Sequence, residues 1–243
     1  VNPFKPSIKK GYLIGRGAND MKSSIAAFVV AVHNFIQINK KFNGSISLLI
    51  TGDEEGVAIN GTKKVIEYLK KRKERIDFCL VGEPTNPNKL GEMIKIGRRG
   101  SMTGKLSIIG IQGHVAYPQR ANNPSTTLVR ILHELKNIKF DKGSKDFQQT
   151  NLEITKISIN NFADNVIPGI AEASFNIRFN NKHSSISLKK RINKILKKIS
   201  SKNKSKYKVK YSVSGEAFLT KPNKTTFMIQ NTIKKITKIK PKL

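Results

Sequence analysis

The hydrophobic period of this chain changes near residue 100. Before that point, short apolar runs alternate with helical stretches. Residues 11–14 read as a short strand leading into a glycine-rich turn at 15–20, where glycine lets the backbone bend sharply. Residues 21–38 carry Ile25, Phe28, Val29, Val32, Phe35 and Ile36 at helical spacing. The run Ile46-Ser47-Leu48-Leu49-Ile50 predicts a buried strand over 45–51. Asn60-Gly61-Thr62 opens a second helix with Val65, Ile66 and Leu69 on its core face. Further strands are expected at 77–81 and 90–95. Strands alternating with helices predict an α/β sheet with functional loops at the strand ends.

After Gly97-Arg98-Arg99-Gly100 the period becomes two. Residues 101–110 alternate, with Met102, Gly104, Leu106 and Ile108 on one side. A loop at 110–123, a helix at 124–135, strands at 151–159 and 171–179, a helix at 186–199 and a strand at 207–213 follow. The order β-α-β-β-α-β predicts a four-stranded antiparallel sheet with two helices on one face. It reads as a self-contained α+β domain inserted into the first. The expected division is 1–99, an insertion at 100–214, and a return segment at 215–243 with a helix over 221–239. No internal repeat or low-complexity linker interrupts the chain.

Composition narrows the class. The 243 residues contain one cysteine, Cys79, in an apolar run, where a buried packing thiol is expected. No disulfide framework is possible, which fits a reducing, cytoplasmic setting. No run appears apolar enough to span a bilayer, and residues 1–10 lack the apolar centre of a signal peptide. The formal charge is +30. The excess is almost all lysine, spread through most segments with abundant Ile, Asn and Ser, a mixture that fits drift toward AT-rich codons. The densest basic clusters, at 189–210 and 234–242, lack the interleaved aromatics of a nucleic-acid stacking platform and read as solvated surface. Neither a nucleic acid nor a membrane is therefore an expected partner. The chain does not begin with Met, and both ends are expected to be cuts in a longer protein.

Chemistry enters with Thr51-Gly52-Asp53-Glu54-Glu55-Gly56, placed after the apolar 46–50 run. Successive carboxylates there repel one another and lose solvation, a cost that a bound cation offsets; zinc and harder divalent ions both accept such oxygens. An acidic first turn of a helix is the plainer alternative. Two more carboxylates sit in turns: Asp20 in Gly15-Arg16-Gly17-Ala18-Asn19-Asp20-Met21-Lys22, and Glu83 in Cys79-Leu80-Val81-Gly82-Glu83-Pro84.

With Gly97-Arg98-Arg99-Gly100-Ser101, the 110–118 string Gly-Ile-Gln-Gly-His-Val-Ala-Tyr-Pro, and Asn165-Val166-Ile167-Pro168-Gly169, these strings resemble, in order, the dizinc amidohydrolases of the aminoacylase and carboxypeptidase type. The resemblance covers essentially the whole chain. It implies a zinc-peptidase-like α/β catalytic domain with a mixed sheet, and an inserted dimerisation domain. By the same resemblance Asp20 bridges two zinc ions, Glu55 binds one and Glu83 the other, cobalt being able to substitute; Glu54 is the general base. A cis peptide is implied at Asp20–Met21. His114 of the partner subunit is implied to stabilise the tetrahedral oxyanion, in a homodimer formed through the insertion. Arg98, Tyr117, Asn165 and Arg178 are implied to contact a small-molecule substrate, although a structural role is the plainer reading of Arg99 and Arg178. His133 and His183 match nothing and are expected at the surface.

The Arg98-Arg99 and His114-to-Tyr117 strings narrow the implied reaction to hydrolysis of N-succinyl-L,L-diaminopimelate to succinate and L,L-diaminopimelate, a step toward lysine. Alternatives are the same chemistry on N-acetylornithine or a dipeptide, or a non-catalytic remnant. The family's first and last metal histidines would lie outside this chain, so the piece alone is expected to be inactive and to bind zinc weakly. Ser23, Gly52 and Asp164 depart from the residues typical of the pattern.

Overall fold

A two-residue turn starts the fold. Lys10 and Gly11 both have positive φ, 49° and 80°. That geometry matches the twist of a hairpin, and it joins β1 (Ser7–Lys9) to β2 (Tyr12–Ile14) in antiparallel register. The computed structural model describes residues 2–56 and 58–243, and the chain divides into two compact units, 1–88 and 89–243.

In the first unit the expected helix is present as α1 (Ser23–Ile38), preceded by an irregular turn at Ala18–Lys22. The second helix is α2 (Thr62–Lys71). Two expectations fail here. Residues 45–51 and 77–81 pair with no strand among the described residues, and their side chains stay open, with Ile50 62% and Val81 66% exposed. A strand is buried only by its neighbours, and an apolar run specifies the need for neighbours without supplying them. Cys79 is exposed for the same reason. The membrane expectation also needs correcting: residues 18–38 form a helical run long and apolar enough, by length and composition, to cross a bilayer. Its regular α-helical part has 16 residues, about 24 Å of helix against a hydrocarbon core of roughly 30 Å.

The second unit follows the period-two pattern closely. After β3 (Gly97–Arg98) come β4 (Gly100–Ile109), β5 (Gly113–His114), α3 (Pro124–Lys136), β6 (Asn151–Ser158), β7 (Val166–Ile167), β8 (Ile170–Phe179), α4 (Ser185–Lys202), β9 (Lys206–Gly215), β10 (Phe218–Leu219) and α5 (Lys224–Thr237). The main sheet has the order β6-β8-β4-β9 and is antiparallel throughout. Met102, Leu106 and Ile108 of β4 join Ala173, Phe175 and Ile177 of β8 in one core. Leu128, Ile131 and Leu135 of α3 and Leu188, Ile192 and Leu196 of α4 complete it.

Two glycines make room for the aromatic rings. Gly100 and Gly104 lie opposite Phe179 and Phe175, and a Cβ at either would sit 2.2 Å from the facing ring. The helix starts are set locally. Asn123 accepts from Ser125 N–H ahead of a proline at the head of α3, and Ser184 exchanges capping bonds with Ser187 at α4. The strand expected at 90–95 reduces to a parallel bridge between Met93 and Lys242.

A buried carboxylate ties the α3–β6 connection to the end of β8. Asp141 accepts from Gly143 N–H at 2.6 Å, Asn180 Nδ2 at 2.8 Å and Thr150 N–H at 3.2 Å. It also pairs with His183 Nε2 at 3.0 Å. His183 is therefore no free surface residue: its side chain is only 18% exposed, and its ring meets the edge of Phe140. Burial alone would raise the Asp141 proton affinity, but hydrogen bonds from Thr150, Gly143 and Asn180 outweigh it and hold the carboxyl well below its ordinary value. Because the folded-state value lies below the unfolded one, the stabilisation is complete above the ordinary carboxylate pKa of about 3.9. It is lost as the pH falls from there toward the depressed value. Asp141→Ala strands several buried donors and is expected to cost about 2–4 kcal/mol at pH 7, measured by urea unfolding followed through the far-ultraviolet signal. The difference between variant and parent should shrink as the pH is lowered below 4.

Candidate functional site

The carboxylates of the first unit come from three separate stretches, and backbone packing brings two of them together. Gly17 has φ of 77°, a left-handed turn that only glycine adopts cheaply, and it starts the Ala18–Lys22 turn that carries Asp20. The Asp20–Met21 peptide is cis, as the family resemblance implies. Gly82 lies flush against the start of α1. A Cβ there would sit 2.6 Å from Phe28 Cε2 and 3.0 Å from Ser24 Cβ. This close approach delivers the next residue, Glu83, to Asp20.

Glu83 is half-buried and lies beside Asp20. Burial first, then the neighbouring Asp20 carboxyl and the negative charges of Glu54 and Glu55, together push the Glu83 carboxyl above its ordinary value. The acidic trio divides its labour. Asp53 turns inward, and its Oδ2 accepts from Ile59 N–H at 3.2 Å to close the loop. Glu54 and Glu55 are left exposed, and they act on Glu83 through their charge.

Among the described residues, no three His, Cys, Asp or Glu side chains lie close enough together to hold a metal ion. The donor chemistry nevertheless fits one. Asp20 and Glu83 are neighbouring carboxylates, the type of oxygen donor that zinc and harder divalent ions accept.

The second unit holds the other candidates. Short β5 pairs with β7, Gly113 with Ile167 and His114 with Val166. Val115 N–H donates to Asn165 O at 3.0 Å. His114, Tyr117 and Asn165 are thereby gathered in one loop cluster, with the His114 and Tyr117 ring centroids 6.0 Å apart. All three are exposed. Arg98, in β3 opposite Phe218, and Arg178, near the end of β8 opposite Ser101, are also exposed. Arg99 is structural, donating to Gln149 O at 3.4 Å and to Asn151 Oδ1 at 3.1 Å. His133 is exposed and bonded to Asn137. The sequence reading missed Asn161, whose Nδ2 donates to Ala163 O and Val166 O and so pins the loop before β7; an Asn next to a chain reversal was the only signal.

The chain thus has two parts: a carboxylate-bearing unit with two helices and an α+β unit of β-α-β-β-α-β order. Residues 96–204 match the peptidase dimerisation domain, and the chain shares its fold with two solved peptidases. Over 98% of its length it superposes on aminopeptidase PepT from Bacillus cereus with a TM-score of 0.73 at 16% identity, covering 61% of that chain. It superposes over 97% of its length on an M20 family metallo-carboxypeptidase from Sulfolobus solfataricus with a TM-score of 0.70 at 17% identity, covering 64% of that chain.

In sequence it is similar to the succinyl-diaminopimelate desuccinylases. It is 76% identical to that of Pelagibacter ubique over all 243 residues, and 50% identical to that of Parvibaculum lavamentivorans over the same length. The chain spans 63% and 61% of those two relatives.

The Asp20 charge raises the Glu83 carboxyl, so Asp20→Asn is expected to bring Glu83 down toward the ordinary glutamate value. Gly82→Ala should do the same by forcing the two groups apart. Carboxyl carbon-13 resonances followed through a pH titration of metal-free protein would check both.

Proposed function

We propose that the protein of which this chain is part hydrolyses N-succinyl-L,L-diaminopimelate to succinate and L,L-diaminopimelate. The observation that carries this reading is the 76% identity, along the whole chain, to a protein named for that reaction. The contact between Asp20 and Glu83, from stretches more than sixty positions apart, supports it.

Asp20, Glu55 and Glu83 would be the residues of this chain that hold zinc, two ions per subunit; bound there, the metal would supply polarisation of the amide carbonyl and a lowered proton affinity for the attacking water. Cobalt would be able to replace zinc in such a set. Glu54 is exposed. It takes the proton from the water and hands it to the departing amine. His114 of the partner subunit donates a hydrogen bond to the oxyanion of the tetrahedral intermediate. Arg98 and Arg178 pair with substrate carboxylates, for which the guanidinium fork is suited, and Tyr117 and Asn165 supply neutral hydrogen bonds.

The working form is a homodimer formed through the β4–β9 domain. One edge of its sheet, β9, carries Lys206, Lys208 and Lys210, all exposed, and lysines discourage pairing at an edge. The other edge, β6, has Ile157 59% exposed, and α3 has Val129 65% exposed. The β6 side is the one that favours association with a second copy.

In the full-length protein, succinate release from N-succinyl-L,L-diaminopimelate should require zinc or cobalt and stop on chelation. Absence of such release would overturn the reading. Glu54→Gln should lower kcat by about 10²–10⁴-fold while leaving the bound metal, counted by atomic emission, unchanged.

A further inference from the structure

We infer that the backbone N–H of Ala116 is a positioning group that fixes the tautomer and the ring orientation of His114; the catalytic consequence rests on the oxyanion role proposed above for that residue. The Ala116 N–H lies 3.1 Å from His114 Nδ1. A backbone amide nitrogen donates and has no lone pair to offer, so Nδ1 must accept. The single proton of the neutral imidazole then resides on Nε2. Nε2 sits across the ring from the Ala116 contact, and it is the nitrogen left to donate outward from an exposed side chain.

The bond is held in place from several directions. His114 lies in the β5–β7 pair opposite Val166. Val115 N–H donates to Asn165 O at 3.0 Å, and Tyr117 N–H donates back to His114 O at 3.0 Å. Three successive amides, of residues 115, 116 and 117, are thus committed to fixed acceptors. The Arg120 guanidinium lies 5.6 Å from the centroid of the Tyr117 ring and steadies the far side of the turn. A flip of the imidazole by half a turn would replace the accepting Nδ1 by a carbon and leave the Ala116 amide without that bond. One backbone hydrogen bond therefore selects both which nitrogen carries the proton and which way it points.

The test uses the full-length, metal-loaded protein labelled with nitrogen-15 in histidine, at a pH where the imidazoles are neutral. The His114 signal is identified by its absence in His114→Asn. The expected result is a proton on Nε2, at a population above that of the same residue in urea-unfolded protein. A proton on Nδ1, or the unfolded-state mixture, would overturn the inference. Ala116→Pro removes the N–H and Ala116→Gly keeps it. The proline variant should shift His114 toward the unfolded-state mixture and lower kcat about fivefold, the scale of one net hydrogen bond, with KM within about twofold. The glycine variant should match the parent in both readouts. An unchanged tautomer and an unchanged kcat in Ala116→Pro would also overturn it. Should the proline variant fail to fold, the parent spectrum alone decides the tautomer. If His114→Asn retains full kcat, the oxyanion role fails while the tautomer assignment is still decided by the spectra.

Discussion

The juxtaposition of two carboxyl groups, Asp20 and Glu83, is the constraint on which the chemistry of the first unit depends. Two such groups repel when both are ionised, so backbone packing must impose their meeting. Here it does so twice over. The left-handed Gly17 sets the turn that carries Asp20. The bare Cα of Gly82 lets the 82–83 backbone settle against Phe28 and Ser24. Charge from Glu54 and Glu55 adds to the burden on Glu83. The arrangement stores an appetite for positive charge that a divalent ion meets better than a shared proton.

The second unit obeys a different logic. Its core closes on itself, with rings of Phe175 and Phe179 laid over glycines and two helices covering one face of the sheet. Asp141 fastens the longest connection of that unit from beneath. On this firm base the His114 loop is pinned by backbone bonds rather than by packing, and its side chain stays open to solvent. Rigidity and exposure are thereby combined in one short loop, which suits a group that must meet a substrate in a fixed pose.

The second unit was legible in the sequence almost element by element, because alternation of the kind seen in residues 171–179 is a direct image of a half-buried strand. The first unit was legible in its helices and its turns, and less so in its sheet. The runs at 46–50 and 77–81 have the composition of strands, but pairing is a property of two segments and cannot be read from one. Asp20, Glu54, Glu55 and Glu83 are candidates by their motifs alone. The structure shows what the motifs concealed: Asp53 works for the loop rather than for the site. His183 escaped because its partner, Asp141, lies 42 positions away, and nothing local marks such a pair.

The runs at 46–50 and 77–81 have a practical consequence for handling the polypeptide. Each is a short, β-prone, largely uncharged length of chain whose backbone groups have no cross-strand mates within the described residues. Such lengths readily template one another between molecules. Concentrated solutions of the isolated polypeptide will therefore tend toward self-association seeded in the first unit, a tendency separate from the pairing of second units through their sheet edge.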